Sequence, residues 1–172
     1  MTAYDIQGTL ATYGLPYPTC FWNKDDDGTR HQIGRVASDG SGWQATCGVD
    51  PAFWLIWWGP FTKQVDVGEQ VPFFEVAADN ATSGDPIVCD LQVQDYTTTT
   101  TVAHRILHKS ECAASYSTFA VPFVMLDANR SHEIEFRVVW YGAVNTRVGY
   151  TGIRCSLSTL TTPRRALCLH LG

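Results

Sequence analysis

At 172 residues, with 45% hydrophobic and 17% charged positions, the chain is long enough for one domain with a proper core, burying roughly 70% of its extended-chain surface. A formal charge of −5, with twelve Lys and Arg that nowhere cluster, gives no electrostatic footprint for a nucleic-acid backbone, so no nucleic-acid partner is expected. No run of eighteen apolar residues occurs, and the first residues lack a charged then apolar leader, so neither a membrane span nor a signal peptide is expected in the chain as given.

Residues 1–33 are broken by Gly8, Gly14, Pro16, Pro18 and Gly28 into short aromatic pieces, too interrupted for a long helix or strand, and read as an arm or loop-rich cap. Within them Asn23, Asp25, Asp27 and Gly28 satisfy the spacing N-x-D-x-D-G, in which alternate oxygen side chains converge on Ca2+. The position that would close a twelve-residue calcium loop with a bidentate Glu is Gly34, so a solvated acidic turn is the competing reading. No cofactor is required by anything in the sequence, and calcium is the one candidate.

The turn-rich stretch from Gly34 to Gly48 delivers Trp43 at the edge of a loop, and the next segment, FWLIWWGPF, reads as a strand. Strict alternation there puts Phe53, Leu55 and Trp57 on one face and Trp54, Ile56 and Trp58 on the other, so both faces are apolar. One fills the core, and the other must meet a second layer, a partner or a ligand. Gly59-Pro60 closes the strand.

Gln70 to Ala78 alternates with Pro72, Phe74, Val76 and Ala78 on one face, and Ile87 to Val93 with Ile87, Cys89, Leu91 and Val93. The polar stretch between them has hairpin character. Thr100 to Leu107 and Phe119 to Val124 are further strand candidates. Between His132 and Tyr150 the pattern is clearest: Ile134, Phe136, Val138 and Trp140 share one face, while Glu133, Glu135, Arg137, Val139 and Tyr141 share the other. Gly142 and Asn145 supply a turn, and Arg147 to Cys155 resumes as a strand. About eight short strands with regular turn signals and no helical period indicate an all-β antiparallel sandwich of jelly-roll type. The predicted organisation is an arm at 1–33, a β-sandwich over 34–157 and a tail at 158–172.

The motifs of this middle region resemble the galactose-binding-like jelly-roll domains found as carbohydrate-binding modules in secreted polysaccharide-degrading enzymes. The likeness rests on Gly34-Arg35 and Gly42-Trp43, on Trp58-Gly59-Pro60-Phe61, on Gly68, on Asp79-Asn80 after a strand, and on Glu135 to Gly142. The chain departs from the pattern at Gly149-Tyr150, where those domains commonly carry an aspartate before the last strand. The resemblance implies a polysaccharide or glycan partner and an extracellular or cell-surface setting.

Sugars are bound by stacking their C–H faces on aromatic rings and by planar polar side chains that take adjacent hydroxyls. On that chemistry the candidate carbohydrate-binding residues are Trp43, Trp58, Asp79, Asn80, Arg137, Trp140 and Tyr141, with Asn23, Asp25 and Asp27 as the candidate metal set. The alternation turns Trp140 inward, which makes Tyr141 the better stacking candidate, and Arg137 has Glu135 or Glu75 as alternative ion-pair partners. Catalysis is disfavoured: neither G-x-S-x-G nor H-E-x-x-H occurs, and no nucleophile, base and orienting group assemble from the spacings. His104, His108 and Cys112 stand four apart and would align on a helix, but Thr97 to Val102 opposes a helix start there. Asn80-Ala81-Thr82 and Asn129-Arg130-Ser131 are glycosylation sequons, meaningful in a eukaryotic secretory setting.

Six cysteines (Cys20, Cys47, Cys89, Cys112, Cys155 and Cys168) allow up to three disulfides in fifteen fully paired connectivities. Cys47, Cys89 and Cys155 lie in strand-like runs where a small core side chain serves as well as a bridge. The expected function is non-catalytic carbohydrate binding. The competing one is a structural subunit of an extracellular assembly or filament, a homo-oligomer held through its terminal arms and its surplus tryptophans.

Overall fold

A computed structural model describes residues 20–63, 65–79 and 84–153. In chain order the strands are β1 (Cys20–Asn23), β2 (Arg35–Val36), β3 (Trp43–Ala45), β4 (Trp54–Thr62), β5 (Gly68–Gln70), β6 (Phe73–Asp79), β7 (Ile87–Asp95), β8 (Thr100–His108), β9 (Ser117–Ala120), β10 (Phe123–Met125), β11 (Ile134–Trp140) and β12 (Asn145–Ile153). All named pairings are antiparallel. One sheet runs β4-β11-β7-β8; the second runs β2-β3-β12-β6-β9, with β1 also paired to β12. The pair β5-β10 stands apart from both. The fold is the all-β antiparallel sandwich of jelly-roll type that the pattern indicated.

The two layers close on the apolar faces read from the sequence. From one sheet come Ile134, Phe136, Val138 and Trp140 of β11, Cys89, Leu91 and Val93 of β7, and Leu107 of β8. From the other come Phe74, Val76 and Ala78 of β6, Val148 and Ile153 of β12, and Trp22 of β1. Phe136 lies at the seam, its ring 5.7 Å from Trp22 and 6.2 Å from Phe74. Rings from both sheets therefore meet in one contact, and the layers cannot separate without exposing all three.

Three local expectations change. Residues 20–23 form a strand beside β12 with Trp22 in the core, so the stretch predicted as an arm supplies part of the sandwich. Pro72 and Pro122 each interrupt a predicted continuous strand, separating β5 from β6 and β9 from β10, as a residue without an N–H must. On β4, both Ile56 and Trp57 are fully buried while Trp58 faces outward, because the register against β11 slips: Trp57 opposes Val138 but Leu55 opposes Val139. Ile56 is the extra residue of a β-bulge, and past a bulge the alternating faces exchange.

Candidate functional site

The outward face of the four-stranded sheet is built around Arg137. It is opposed by Trp58 of β4 on one side and Gln92 of β7 on the other; Gln92 in turn opposes His104 of β8. Directly opposed residues project to the same side of a sheet, so these four form one row across the strands. A parallel row consists of Phe61, Glu135, Gln94 and Thr101.

A fifth member comes from before β2. Arg30 forms an antiparallel bridge with Trp58, its N–H donating to Trp58 O at 2.8 Å and its carbonyl accepting from Trp58 N at 3.0 Å. Gly59 permits this approach: its φ is +87°, and a Cβ there would stand 2.0 Å from the Gly28 carbonyl oxygen. The bulge at Ile56 has already turned Trp58 outward, so two backbone irregularities cooperate to set an indole between two arginines.

The polar side chains of the face are linked. Arg137 Nη2 donates to Glu135 Oε2 at 2.7 Å and Nη1 to Gln94 Oε1 at 3.4 Å, which also accepts from Thr101 Oγ1 at 3.0 Å. Gln92 donates to Asp90 Oδ2 at 2.7 Å, and His104 Nδ1 lies 3.2 Å from Asp90 Oδ1. Beside them the rings form a ladder: Trp58 meets Phe61 edge-on at 5.9 Å, and Phe61 meets the exposed Tyr96 at 4.7 Å. Three buried atoms of this one strip, Trp58 Nε1, Glu135 Oε1 and Arg137 Nε, have no hydrogen-bond partner among the described residues. A buried polar group left unpaired costs about 1–3 kcal/mol, so this strip carries three such costs side by side.

The sequence candidates divide among four settings. Trp58 and Arg137 are cross-strand neighbours on this face. Tyr141 and Asp79 lie instead at the end of the sandwich closed by the β11–β12 turn, Asp79 opposing Asn145 and Tyr141 following Trp140. There Tyr141 packs edge-on against Phe53 at 5.2 Å, and Asp79 stands 4.0 Å from Arg147 Nη2. Phe53 is 68% exposed and holds φ +63°, fixed by its N–H to Trp140 O at 2.7 Å. Trp43 and Trp140 are held by contacts within the fold. Trp43 stacks on His31 at 3.8 Å and gives its N–H to Ile33 O, while Trp140 is fully buried with its N–H on Val144 O, which leaves it no face for a ligand. Asn80 and the sequon it begins lie outside the described residues.

At the acidic turn, Asn23 Oδ1 accepts the Asp25 N–H at 2.7 Å, Asp26 Oδ2 accepts the Asn23 N–H at 2.7 Å, and Asp25 pairs with Lys24, while Asp27 is exposed. Among the described residues no group of three or more His, Cys, Asp or Glu is placed to hold a metal ion. His104 and His108 lie on strand β8 and Cys112 beyond a 3-10 turn, with His108 directed to the Asp85 carbonyl at 3.3 Å.

Arg30, Phe61, Gln92, Gln94, Tyr96 and Glu135 joined the face without having been singled out as site residues. For two of them the signal was available: Ile87–Asp95 alternates Cys89, Leu91 and Val93 with Asp90, Gln92 and Gln94, and the polar set is as regular as the apolar one.

No family model matches the chain, and no curated protein matches it. Among solved structures it is similar to a CBM4 carbohydrate-binding module at 12% identity and a TM-score of 0.47, covering 79% of this chain and 85% of that one. It is also similar to the CBM22-1–GH10 modules of Clostridium thermocellum endo-1,4-beta-D-xylanase 10B complexed with xylohexaose, at 13% identity and a TM-score of 0.41. That alignment covers 82% of this chain and 26% of the other, so this chain spans about a quarter of it. Both are likenesses of outline, and the sandwich itself is read from the strand pairings.

Proposed function

We propose that the protein is a non-catalytic carbohydrate-binding domain whose ligand lies across the strands of the four-stranded sheet. The carrying observation is the ladder of three aromatic rings, Trp58, Phe61 and Tyr96, beside the cross-strand pair Arg137 and Gln92 on the outward face of the sheet. A pyranose stacked on Trp58 or Tyr96 would expose its hydroxyls to Arg137 and Gln92, both planar groups held by bonds already made. The row from Arg30 to His104 crosses four strand spacings, about 19 Å, room for several rings of a polysaccharide. Tyr141 and Asp79 at the turn end offer a second, smaller contact. Few direct contacts predict weak affinity at a single site. The setting proposed with this reading is extracellular or on a cell surface.

Calorimetric titration against soluble polysaccharides tests it. Saturable binding is expected, weakened about tenfold or more in Trp58→Ala with the folded spectrum unchanged. Absence of binding to any saccharide, or undiminished binding in Trp58→Ala, would overturn the reading. The face needs no metal, so EDTA is expected to leave the titration as it is, whereas a loss would return attention to Asn23, Asp25 and Asp27.

A second reading, a structural subunit, is favoured by one observation. At the turn end Phe53 is 68% and Trp54 51% exposed, an apolar pair that a neighbouring copy would cover. Light scattering separates the two: a monomer at working concentration removes the assembly reading, and a polymer sustains it.

A further inference from the structure

The charges on the binding face are layered rather than mixed. Two of its acids are inner members, and a third, Glu133, is 38% exposed at the end of the face, 3.9 Å from Lys63. The Glu135 side chain is 0% exposed and the Asp90 side chain 10%, each spent on a neighbour. Its cations are the outer members: the Arg137 side chain is 23% and that of His104 57% exposed. Arg30, at the end of the row beside Trp58, is exposed and forms no ion pair or side-chain hydrogen bond among the described residues. A ligand approaching along the row from Arg30 to His104 meets positive groups first, although the chain as a whole carries a net charge of −5.

We infer that the site selects an acidic glycan, with Arg30 taking an oxyanion of the sugar whose ring stacks on Trp58. The inference rests on the carbohydrate reading above and narrows it. Arg30 and Trp58 are directly opposed residues of an antiparallel bridge, so their side chains leave the sheet side by side, roughly 5 Å apart at Cβ. An indole beside an uncommitted guanidinium matches a pyranose bearing a carboxylate, since the apolar ring face and the charged substituent lie on one residue of the polymer. The guanidinium fork takes carboxylate or sulfate oxygens in pairs. Arg137 cannot serve in its place, because its Nη2 is committed to Glu135 at 2.7 Å. Both sources of the oxyanion remain open to a direct comparison, a uronic acid and a sulfate ester.

The test is titration of the full chain with two matched polymer pairs: polygalacturonate against its carboxyl-reduced counterpart, and dextran sulfate against dextran. Binding about tenfold tighter to an acidic member than to its neutral partner is expected, with the difference shrinking as salt rises. The pair that shows it identifies carboxylate or sulfate. Arg30→Gln is expected to bring the two members to the same affinity, and Arg30→Lys to keep part of the gap, as a point charge without the fork should. Arg30 is exposed, so neither variant should disturb folding, which a thermal melt checks. Equal binding of acidic and neutral polymers by the wild type, or a preference that survives Arg30→Gln, overturns the inference and leaves the carbohydrate reading standing. Failure of every saccharide, neutral and acidic, removes both.

Discussion

Glu75 is the residue whose environment contradicts its chemistry most plainly. It lies on β6 opposite Thr118, with Oε2 buried and unpartnered, and a Cβ added at Gly149 would stand 2.4 Å from that oxygen. Desolvation with no compensating donor pushes its carboxyl from an ordinary value of 4.5 up to about 7. Because the folded value lies above the unfolded one, the native state holds more protons between them. Its contribution to stability is therefore fully present below pH 4.5 and is lost as pH rises through about 7. The loss is on the order of 3 kcal/mol at most. Urea melts at pH 5 and pH 8 should show the wild type falling over this window and Glu75→Gln holding nearly level. An equal fall in both would assign the slope to other groups. None of this was legible in the sequence, where Glu75 entered only as an alternative to Glu135, the acid that Arg137 in fact pairs with; its burial is made by the approach of β12 at Gly149 and of Tyr116, which no local pattern announces.

Among the elements, β11 and β4 mark where sequence reasoning holds and where it stops. On β11 the alternation of Ile134, Phe136, Val138 and Trp140 with Glu135, Arg137 and Val139 gives each face correctly, because the strand is paired on both sides and has no extra residue of its own. On β4 the same rule misassigns Ile56 and Trp58, because a bulge is set by the partner strand and the tertiary register rather than by the bulged residues. The consequence reaches the site: without the bulge at Ile56, Trp58 would turn inward and Arg137 would face no ring. The same geometry distinguishes the tryptophans energetically. Trp57 is fully buried, so Trp57→Ala should cost about 3–5 kcal/mol in a denaturant titration, whereas Trp54→Ala, at a 51% exposed position, should cost less than about 1 kcal/mol. Comparable losses in the two variants would mean that the register of β4 on β11 is wrong.

At the scale of the molecule, the sandwich closes over side chains that can report when it opens. Among the described cysteines Cys47, Cys89 and Cys112 are free thiols, and Cys89 and Cys112 belong to the core between the sheets. Burial pushes the Cys112 thiol up to about 11 and that of Cys89 well above its usual range, so both are protonated and shielded at neutral pH. Cys47 is half-buried beside the turn end, its N–H held by Asn145 Oδ1 at 2.9 Å. A thiol reagent applied to the native protein without reductant should thus modify Cys47 first. Cys89 should follow far more slowly, because it is fully buried between Trp140 of β11 and Leu107 of β8 and reacts only when this sheet opens. In denaturant at least these three should react. If mass spectrometry of the labelled peptides found Cys89 modified as fast as Cys47, the two layers would not be packed as a single cooperative unit. A sheet face held to the precision that stacked sugars require could then not be sustained by this scaffold, since the row from Arg30 to His104 spans every strand of the layer that Cys89 anchors.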